Sequence, residues 1–472
     1  MRPQRPRLAD HVFARRHRHD GARIVVLHDT KRDITVRVAE RAWTLVSGMD
    51  GTRDVDGLTA HVRREGVPIA SDEIASFIDQ MAAEGLLEDG PTDVAPPTRP
   101  TEPAAGAPRP VLAMPRFTLA CDGRGTCCRF YPTVVFSPLE AARARARLPL
   151  VEDAGMIQRR AFTPLAGTDD RLLAVALVDG RCAYLEADLR CGIHRSGCAE
   201  DKPLGCRTYP ARFVDDGTAI RVSPWLECPC VLASGERAVA DGEPLTRAET
   251  SADIDPAIFI ETLPERVRVG RAGDADRAEL AATMLALSAI EVQDGAAALS
   301  SLAAALDTAG LGGAAAALTS PVAPNLASFR PALAAIRPRV ERLAAEDWRS
   351  SSDLPRRLWS ALLGAIDLLE AVPEEILAGP GAYQRAEAFY VRALLFGYQL
   401  VHTKGRHSAA TLAHDRALRV VLARALGVVS SLADLDDPAF SQPLALVEAA
   451  SRAYGIGGYL ADLGTDAPPA LS

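Results

Sequence analysis

Several absences narrow the reading before any motif is considered. No apolar stretch follows the basic N-terminus (Arg2, Arg5, Arg7, Arg15, Arg16 and Arg18), so these arginines do not form the start of a secretory signal. No apolar run reaches the ~20 residues that cross a bilayer, which sets membrane partners aside and makes the cytoplasm the expected location. Positive charge is not in excess: a net charge of −8 argues against wholesale nucleic-acid wrapping, and the basic N-terminus reads as a solvated arm. Cysteine is absent outside residues 121–230, although the chain holds nine. An odd number in a reducing compartment does not make a disulfide framework, so the cysteines are read as metal ligands or reactive thiols.

What is present suggests an α+β multidomain chain. Its 472 residues exceed what one core usually organises, and a composition 48% hydrophobic and 24% charged should fold. The first module covers residues 1–88. RIVVLHDT and DITVRVA alternate like the strands of a hairpin, AERAWTLVSGM takes helical spacing, and Asp50-Gly51 supplies a turn. A short helix, VDGLTAHVRREG, precedes a better-marked one with Ser71 as N-cap, Asp72 and Glu73 in its first turn, and Ile74, Phe77, Ile78 and Met81 as its buried stripe. Gly85 ends that helix, and Leu86-Leu87 returns to the hairpin as a small strand, giving a winged-helix-like outline. The run from HDTKRDITVRVAERAW through MDGTRDVDGL to EIASFIDQMAAEGLL resembles the PqqD-like, peptide-recognising family. That resemblance implies capture of an extended peptide at the sheet edge. A structural or DNA-binding winged helix is the plainer alternative.

Residues 89–114 are dense in proline and alanine and read as a semi-rigid linker. Limited proteolysis is expected to cut first between residues 89 and 116, and early cleavage inside 275–460 would contradict this organisation. From about residue 250 to 472 the chain is rich in Ala, Leu and Arg in helical spacing and reads as an all-α domain that folds separately.

The cysteine-rich segment, 115–235, is read as an irregular α/β metal-binding module. CDGRGTCC places Cys121, Cys127 and Cys128 in one loop, where Gly123 and Gly125 leave room for thiolates to converge. RLLAVALVDGRCAYLE forms a hairpin carrying Cys182; CGIHRSGCAEDKPLGCRTYP adds Cys191, His194, Cys198 and Cys206; WLECPC closes with Cys228 and Cys230. Sequence neighbours splay apart, so Cys127 and Cys128 are poorly placed to share one mononuclear ion. Nine thiols and a histidine exceed one four-ligand site and could furnish two zinc sites, or one iron-sulfur cluster with spare thiols. The C-x2-C-x2-C spacing of ferredoxins and the C-x3-C-x2-C triplet of radical enzymes are absent. His194 is read as a ligand or as a hydrogen-bonding neighbour of the ligands.

The order Cys121, Cys127-Cys128, GRCAYLE, CGIH, KPLGCRTYP, CPC is similar to the YkgJ-type cysteine-cluster proteins, a zinc- or iron-chelating family. A cysteine cluster followed by a long helical region most resembles its flagellin lysine-N-methylase branch. The resemblance implies Cys121, Cys127, Cys128, Cys182, Cys191 and Cys206 as ligands, with His194, Lys202, Pro203, Arg207 and Tyr209 at accompanying positions. Cys198, Cys228 and Cys230 fit the pattern less tightly. It further implies modification of a peptide or protein substrate, with lysine methylation from S-adenosylmethionine as the candidate reaction. The alternative is a non-catalytic zinc scaffold bearing a peptide-binding domain. No catalytic triad, P-loop or methyltransferase glycine loop in the sequence decides between them.

Overall fold

A computed structural model of the chain describes residues 3–9, 12–19, 22–29, 34–39, 42–64, 67, 69–89, 108–121, 123, 125–130, 134–148, 162–164, 173–175, 177–178, 181–197, 201–237, 242–255, 258–345, 353–371, 381–401 and 407–462. The protein is mixed α+β and divides into two units, residues 1–106 with 133–176, and residues 107–132 with 177–472.

In the first unit the alternating segments form strands, as their pattern dictates. Ala22–Asp29 lies between Val12–His19 and Ile34–Ala39 in an antiparallel three-stranded sheet. The arginine-rich stretch is therefore not a free arm: Arg15, Arg16 and Arg18 belong to the strand Val12–His19, paired with Val26, Val25 and Arg23. Backbone pairing and the apolar residues Val12 and Ala14, both in the core, outweigh the charge that suggested solvation. Helices Trp43–Gly48, Val55–Arg64 and Ser71–Ala83 follow. Ile74, Ile78 and Met81 are buried, and Phe77 packs partly buried against the same core. Ala70 rather than Ser71 occupies the N-cap, and Gly85, at φ +67°, closes the helix as its position requires. The closing strand Leu87–Asp89 pairs with Pro6–Leu8, not with the hairpin.

The unit also takes residues assigned above to the cysteine module. Strands Val135–Phe136 and Phe162–Pro164 flank Leu173–Val175. Helix Pro138–Arg147 opens with a reciprocal cap, the Glu140 amide donating to the Ser137 hydroxyl (3.3 Å) and the Ser137 amide to the Glu140 carboxylate (2.7 Å). Residues 133–176 of the 115–235 segment thus fall in the first unit, their strands pairing among themselves.

The second unit is built on a four-stranded sheet ordered Ile260–Thr262, Ala211–Asp215, Ile220–Pro224, Val111–Ala113. The central pair is antiparallel and both outer pairings are parallel. The last residues of the expected linker are therefore a strand, while residues 90–107 lie outside the described residues. The region from 250 is likewise not wholly helical, since Ile260–Thr262 and the ribbon Arg266–Gly270 with Gly273–Asp276 precede the first helix, Arg277–Leu287. The principal helices beyond it are Gly295–Ala309, Arg330–Ala345, Asp353–Ala371, Gln384–Phe396, Ala409–Leu432 and Pro443–Ala453.

Met114, Phe117, Val214, Leu226, Cys228, Cys230 and Val231 share one hydrophobic core with these helices, so the cysteine-bearing segments and the helical region do not hold separate cores. The ring of Phe117 lies 5.0 Å from that of Phe389. Gly235 lets the helix Pro229–Arg237 approach the other side chain of this pair, because a Cβ there would stand 2.2 Å from the Phe389 ring. Gly235→Ala is expected to destabilise the second unit by ~1–3 kcal/mol, an overpacking cost read from thermal unfolding. One stretch, Gly295–Thr319, does have the length and apolarity to cross a membrane, contrary to the sequence reading. Its Leu299, Leu302 and Leu306 are buried in this core, and Gly310, at φ +64°, interrupts it.

Candidate metal centre

Four short elements of the second unit carry the thiols. Gly123 (φ +73°) and Gly125 (φ +64°) both adopt the left-handed conformation that glycine favours. A Cβ on Gly125 would meet the Leu189 backbone oxygen at 3.0 Å, so the CDGRGTCC loop needs glycine for space as well as for conformation. The Gly125 carbonyl accepts from the amides of Cys128 (3.0 Å) and Arg129 (3.1 Å) and starts the helix Thr126–Phe130, which holds Cys127 and Cys128. Cys182 sits on Arg181–Cys182, paired with Leu177–Val178 as the hairpin reading required. Its carbonyl accepts from the Leu185 amide (2.9 Å), and a bridge between Leu185 and Cys191 folds the next turn back. Cys206 lies in helix Leu204–Thr208, its amide donating to the Pro203 carbonyl (2.9 Å). Cys230 begins the helix Pro229–Arg237. The Ser234 hydroxyl of that helix accepts from the Ala120 amide (3.0 Å), which ties the residue before Cys121 to the helix carrying Cys230.

These elements bring six sulfurs into a chain of neighbours. Cys121 hydrogen-bonds Cys230. The Cys127 and Cys128 sulfurs are 3.9 Å apart, Cys128 also hydrogen-bonds Cys182, and the Cys206 thiol acts on Cys128 electrostatically. The vicinal pair therefore does not splay. Two sulfurs bound at ~2.3 Å to one tetrahedral ion lie roughly 3.8 Å apart, so Cys127 and Cys128 already hold the separation of two ligands on one metal.

The electrostatics are those of crowded thiols. Cys121 is pushed well up by its hydrogen bond to Cys230, by burial and by the Cys230 charge, against which the Gly123 amide and the Lys202 ammonium work. Cys127 is raised by its hydrogen bond to Cys128, by burial and by the charges of Cys128 and Cys121. For Cys128 the hydrogen bond from Cys127 favours the thiolate, but the bond to Cys182, burial, and the Cys182 and Cys206 charges outweigh it. A cation that enters must therefore displace protons.

The other sequence candidates divide. Cys191 is half-buried at the start of helix Gly192–Ser196, and His194 is exposed on that helix. Cys228 is packed into the main hydrophobic core. Arg207 is exposed. Cys198 lies outside the described residues. Among the described residues no disulfide joins these cysteines, and no three His, Cys, Asp or Glu side chains stand as a group that could hold a metal ion. The sulfurs meet pairwise instead. In donor type and in the Cys127–Cys128 separation the set suits a thiophilic cation, and completing a site requires Cys182 or Cys206 to draw in toward that pair. The Thr126 hydroxyl, beside the pair, is buried without a hydrogen-bond partner among the described residues.

Arg129 escaped the sequence reading, although it follows the cysteine pair directly. Buried, it donates to both oxygens of Asp437 (3.1 and 2.6 Å) and so pins the thiol-bearing helix to the turn before Pro438–Ser441. Burial raises the Asp437 carboxyl, but the Arg129 hydrogen bonds and charge hold it below its usual range. Nothing in the sequence pairs residues so far apart. Arg129→Met is expected to cost ~1–3 kcal/mol in thermal unfolding, since it leaves the partly buried Asp437 carboxylate only the Ala439 amide (3.0 Å) and the more distant Arg357 (3.7 Å), and to speed labelling of Cys127 and Cys128 by a thiol reagent.

Comparison with known proteins adds no relative: no family model, no curated protein and no solved structure matches the chain.

Proposed function

We propose that the chain is a cytoplasmic metal-binding thiol-cluster protein, holding zinc or an iron-sulfur cluster, that captures a peptide or protein with its first unit and modifies it. The observation that carries the metal reading is the run of six neighbouring sulfurs Cys230, Cys121, Cys127, Cys128, Cys182 and Cys206, in which the vicinal pair holds a 3.9 Å separation. Cys191 completes the ligand set that the resemblance implies, whereas Cys198 and Cys230 fit that pattern less tightly. A bound zinc or iron centre would supply Lewis acidity or electron transfer. The chain's own residues would hold it in thiolate form, with the Lys202 charge favouring the Cys121 thiolate. The peptide reading is supported by the first unit's order of a three-stranded sheet followed by three helices, the order expected of the winged-helix-like outline read in the sequence. Lysine methylation from S-adenosylmethionine follows from the resemblance to the flagellin lysine-N-methylase branch, and the sequence contains no methyltransferase glycine loop.

Cys228 and Cys230 lie in the hydrophobic core that the helical region shares, and this favours a second reading, a structural metal that holds the scaffold together without catalysis. Anaerobic purification with elemental analysis tests the metal reading: iron or zinc at one equivalent or more is expected, and metal-free protein with nine titratable thiols and an unchanged fold would overturn it. Chelation separates the two readings, because loss of a structural metal lowers the unfolding temperature of the second unit, whereas loss of a catalytic one leaves the fold and abolishes modification.

A further inference from the structure

The first unit contains a groove of about 410 Å³ between the start of helix Trp43–Gly48 and the helix Ser71–Ala83. Its floor is apolar, formed by Ala42, Leu45, Ile69 and Phe77; Leu45 is buried, and Ile69 and Phe77 are partly buried against the unit's core. Along its rim Asp72, Ser76 and Gln80 follow one another four residues apart, with Glu73 beside them, so one helix face supplies the polar side. Asp72 and Glu73 are exposed and form no ion pair among the described residues. The groove begins three residues after the strand Ile34–Ala39, the outer strand of the three-stranded sheet.

We propose that this groove binds a basic peptide segment, laying the aliphatic stem of a lysine or arginine and an adjacent apolar side chain on Leu45, Ile69 and Phe77 and setting the cationic head against Asp72 and Glu73. Long cationic side chains bury their methylene stems on apolar surface while the charged end stays wet, which is the division that floor and rim present. Two carboxylates at the mouth, without an ion-pair partner among the described residues, disfavour an acidic segment by the same charge that attracts a basic one. The inference rests on the reading that the first unit captures a peptide, and it adds the charge class of that peptide and the residues that select it. If Asp72 and Glu73 serve only the positive end of their own helix, replacing them will alter stability and not selection.

The test uses the full-length chain and fluorescence anisotropy with two labelled peptides, one alternating leucine and lysine, the other leucine and glutamate. The leucine–lysine peptide is expected to bind and the leucine–glutamate peptide not. The double variant Asp72→Lys, Glu73→Lys should weaken the former at least tenfold, while Asp56→Lys, on the exposed face of helix Val55–Arg64, should leave it unchanged. If the charge-reversed protein does not fold by circular dichroism, the neutral pair Asp72→Asn, Glu73→Gln carries the test, with an expected loss of at least threefold. Equal weakening by Asp56→Lys would mean general attraction to an acidic protein and overturns the proposal. Binding unchanged in both groove variants overturns it too, while leaving peptide capture at the sheet edge intact. Failure of the wild-type chain to bind either peptide removes the peptide reading of these segments together with this inference.

Discussion

On the proposed metal reading, Cys128→Ser is expected to hold less than a tenth of the metal of the anaerobically purified wild type, whereas Cys228→Ser should keep it. Cys128 is the junction of the sulfur chain, 3.9 Å from Cys127, hydrogen-bonded to Cys182 and close enough to Cys206 to feel its charge. Removing it separates the Cys121, Cys127 and Cys230 end from the Cys182 and Cys206 end. Cys228 is two residues from Cys230 in WLECPC and shares its apolar core, but Cys230 is the one that hydrogen-bonds Cys121, so replacing Cys228 buries a hydroxyl and costs stability while leaving that contact in place. Elemental analysis of both variants, beside their unfolding temperatures, decides the matter. Retained metal in a folded Cys128→Ser protein would sink this assignment, as would loss of metal in Cys228→Ser. Serine rather than alanine keeps the side-chain volume near that of cysteine, so a lost cation is not confused with a collapsed cavity.

That contrast marks where the sequence was legible. Content and order singled out the cysteines, and Gly123 and Gly125 marked a loop with room for thiolates, though not the left-handed conformation that both glycines adopt. The strand of Cys182 followed from its alternation with a partner only a few residues away. Spacing alone could not separate Cys228 from Cys230: both side chains are buried in the same core, Cys228 just before and Cys230 inside the helix Pro229–Arg237, and only three-dimensional packing sets Cys230 against Cys121. Charge misled at the N-terminus, where arginines alternate within a strand that is held in place by pairing. Near residue 250 composition changes while the core does not: Met114, Phe117 and Val231 bury themselves with the helices, and burial is not a property of local composition. The pairing of Arg129 with Asp437 spans the chain in a way no periodicity records.

Glu448→Leu is expected to destabilise the second unit by ~3–5 kcal/mol, the largest single-site stability effect anticipated for the chain, because it removes the shared anion of a buried cationic pair. Glu448 on helix Pro443–Ala453 accepts from the Tyr390 hydroxyl, from Arg416 and from Arg419 (2.8 Å), and all four residues lie inside or at the edge of the helical core. Burial by itself would raise its carboxyl, but the two arginines and the tyrosine hydrogen bond overcome that and hold it down to about 2. A carboxyl depressed in the folded state contributes stability that is fully present above the unfolded value of ~4.3 and drains away as pH falls toward 2. The wild-type unfolding temperature should accordingly fall on acidification through that window, and Glu448→Leu should flatten the fall while lowering the whole curve at neutral pH. Asp415 still pairs with Arg419 (2.7 Å) in the variant, so Arg416 is the cation left stranded. Adding Arg416→Met to Glu448→Leu should recover a large part of the loss, since replacing both partners by apolar groups removes the unpaired charge. Calorimetric unfolding of the single and double variants between pH 2 and 7 measures both effects, and a double variant no more stable than the single one would show that Glu448 acts on something other than this arginine.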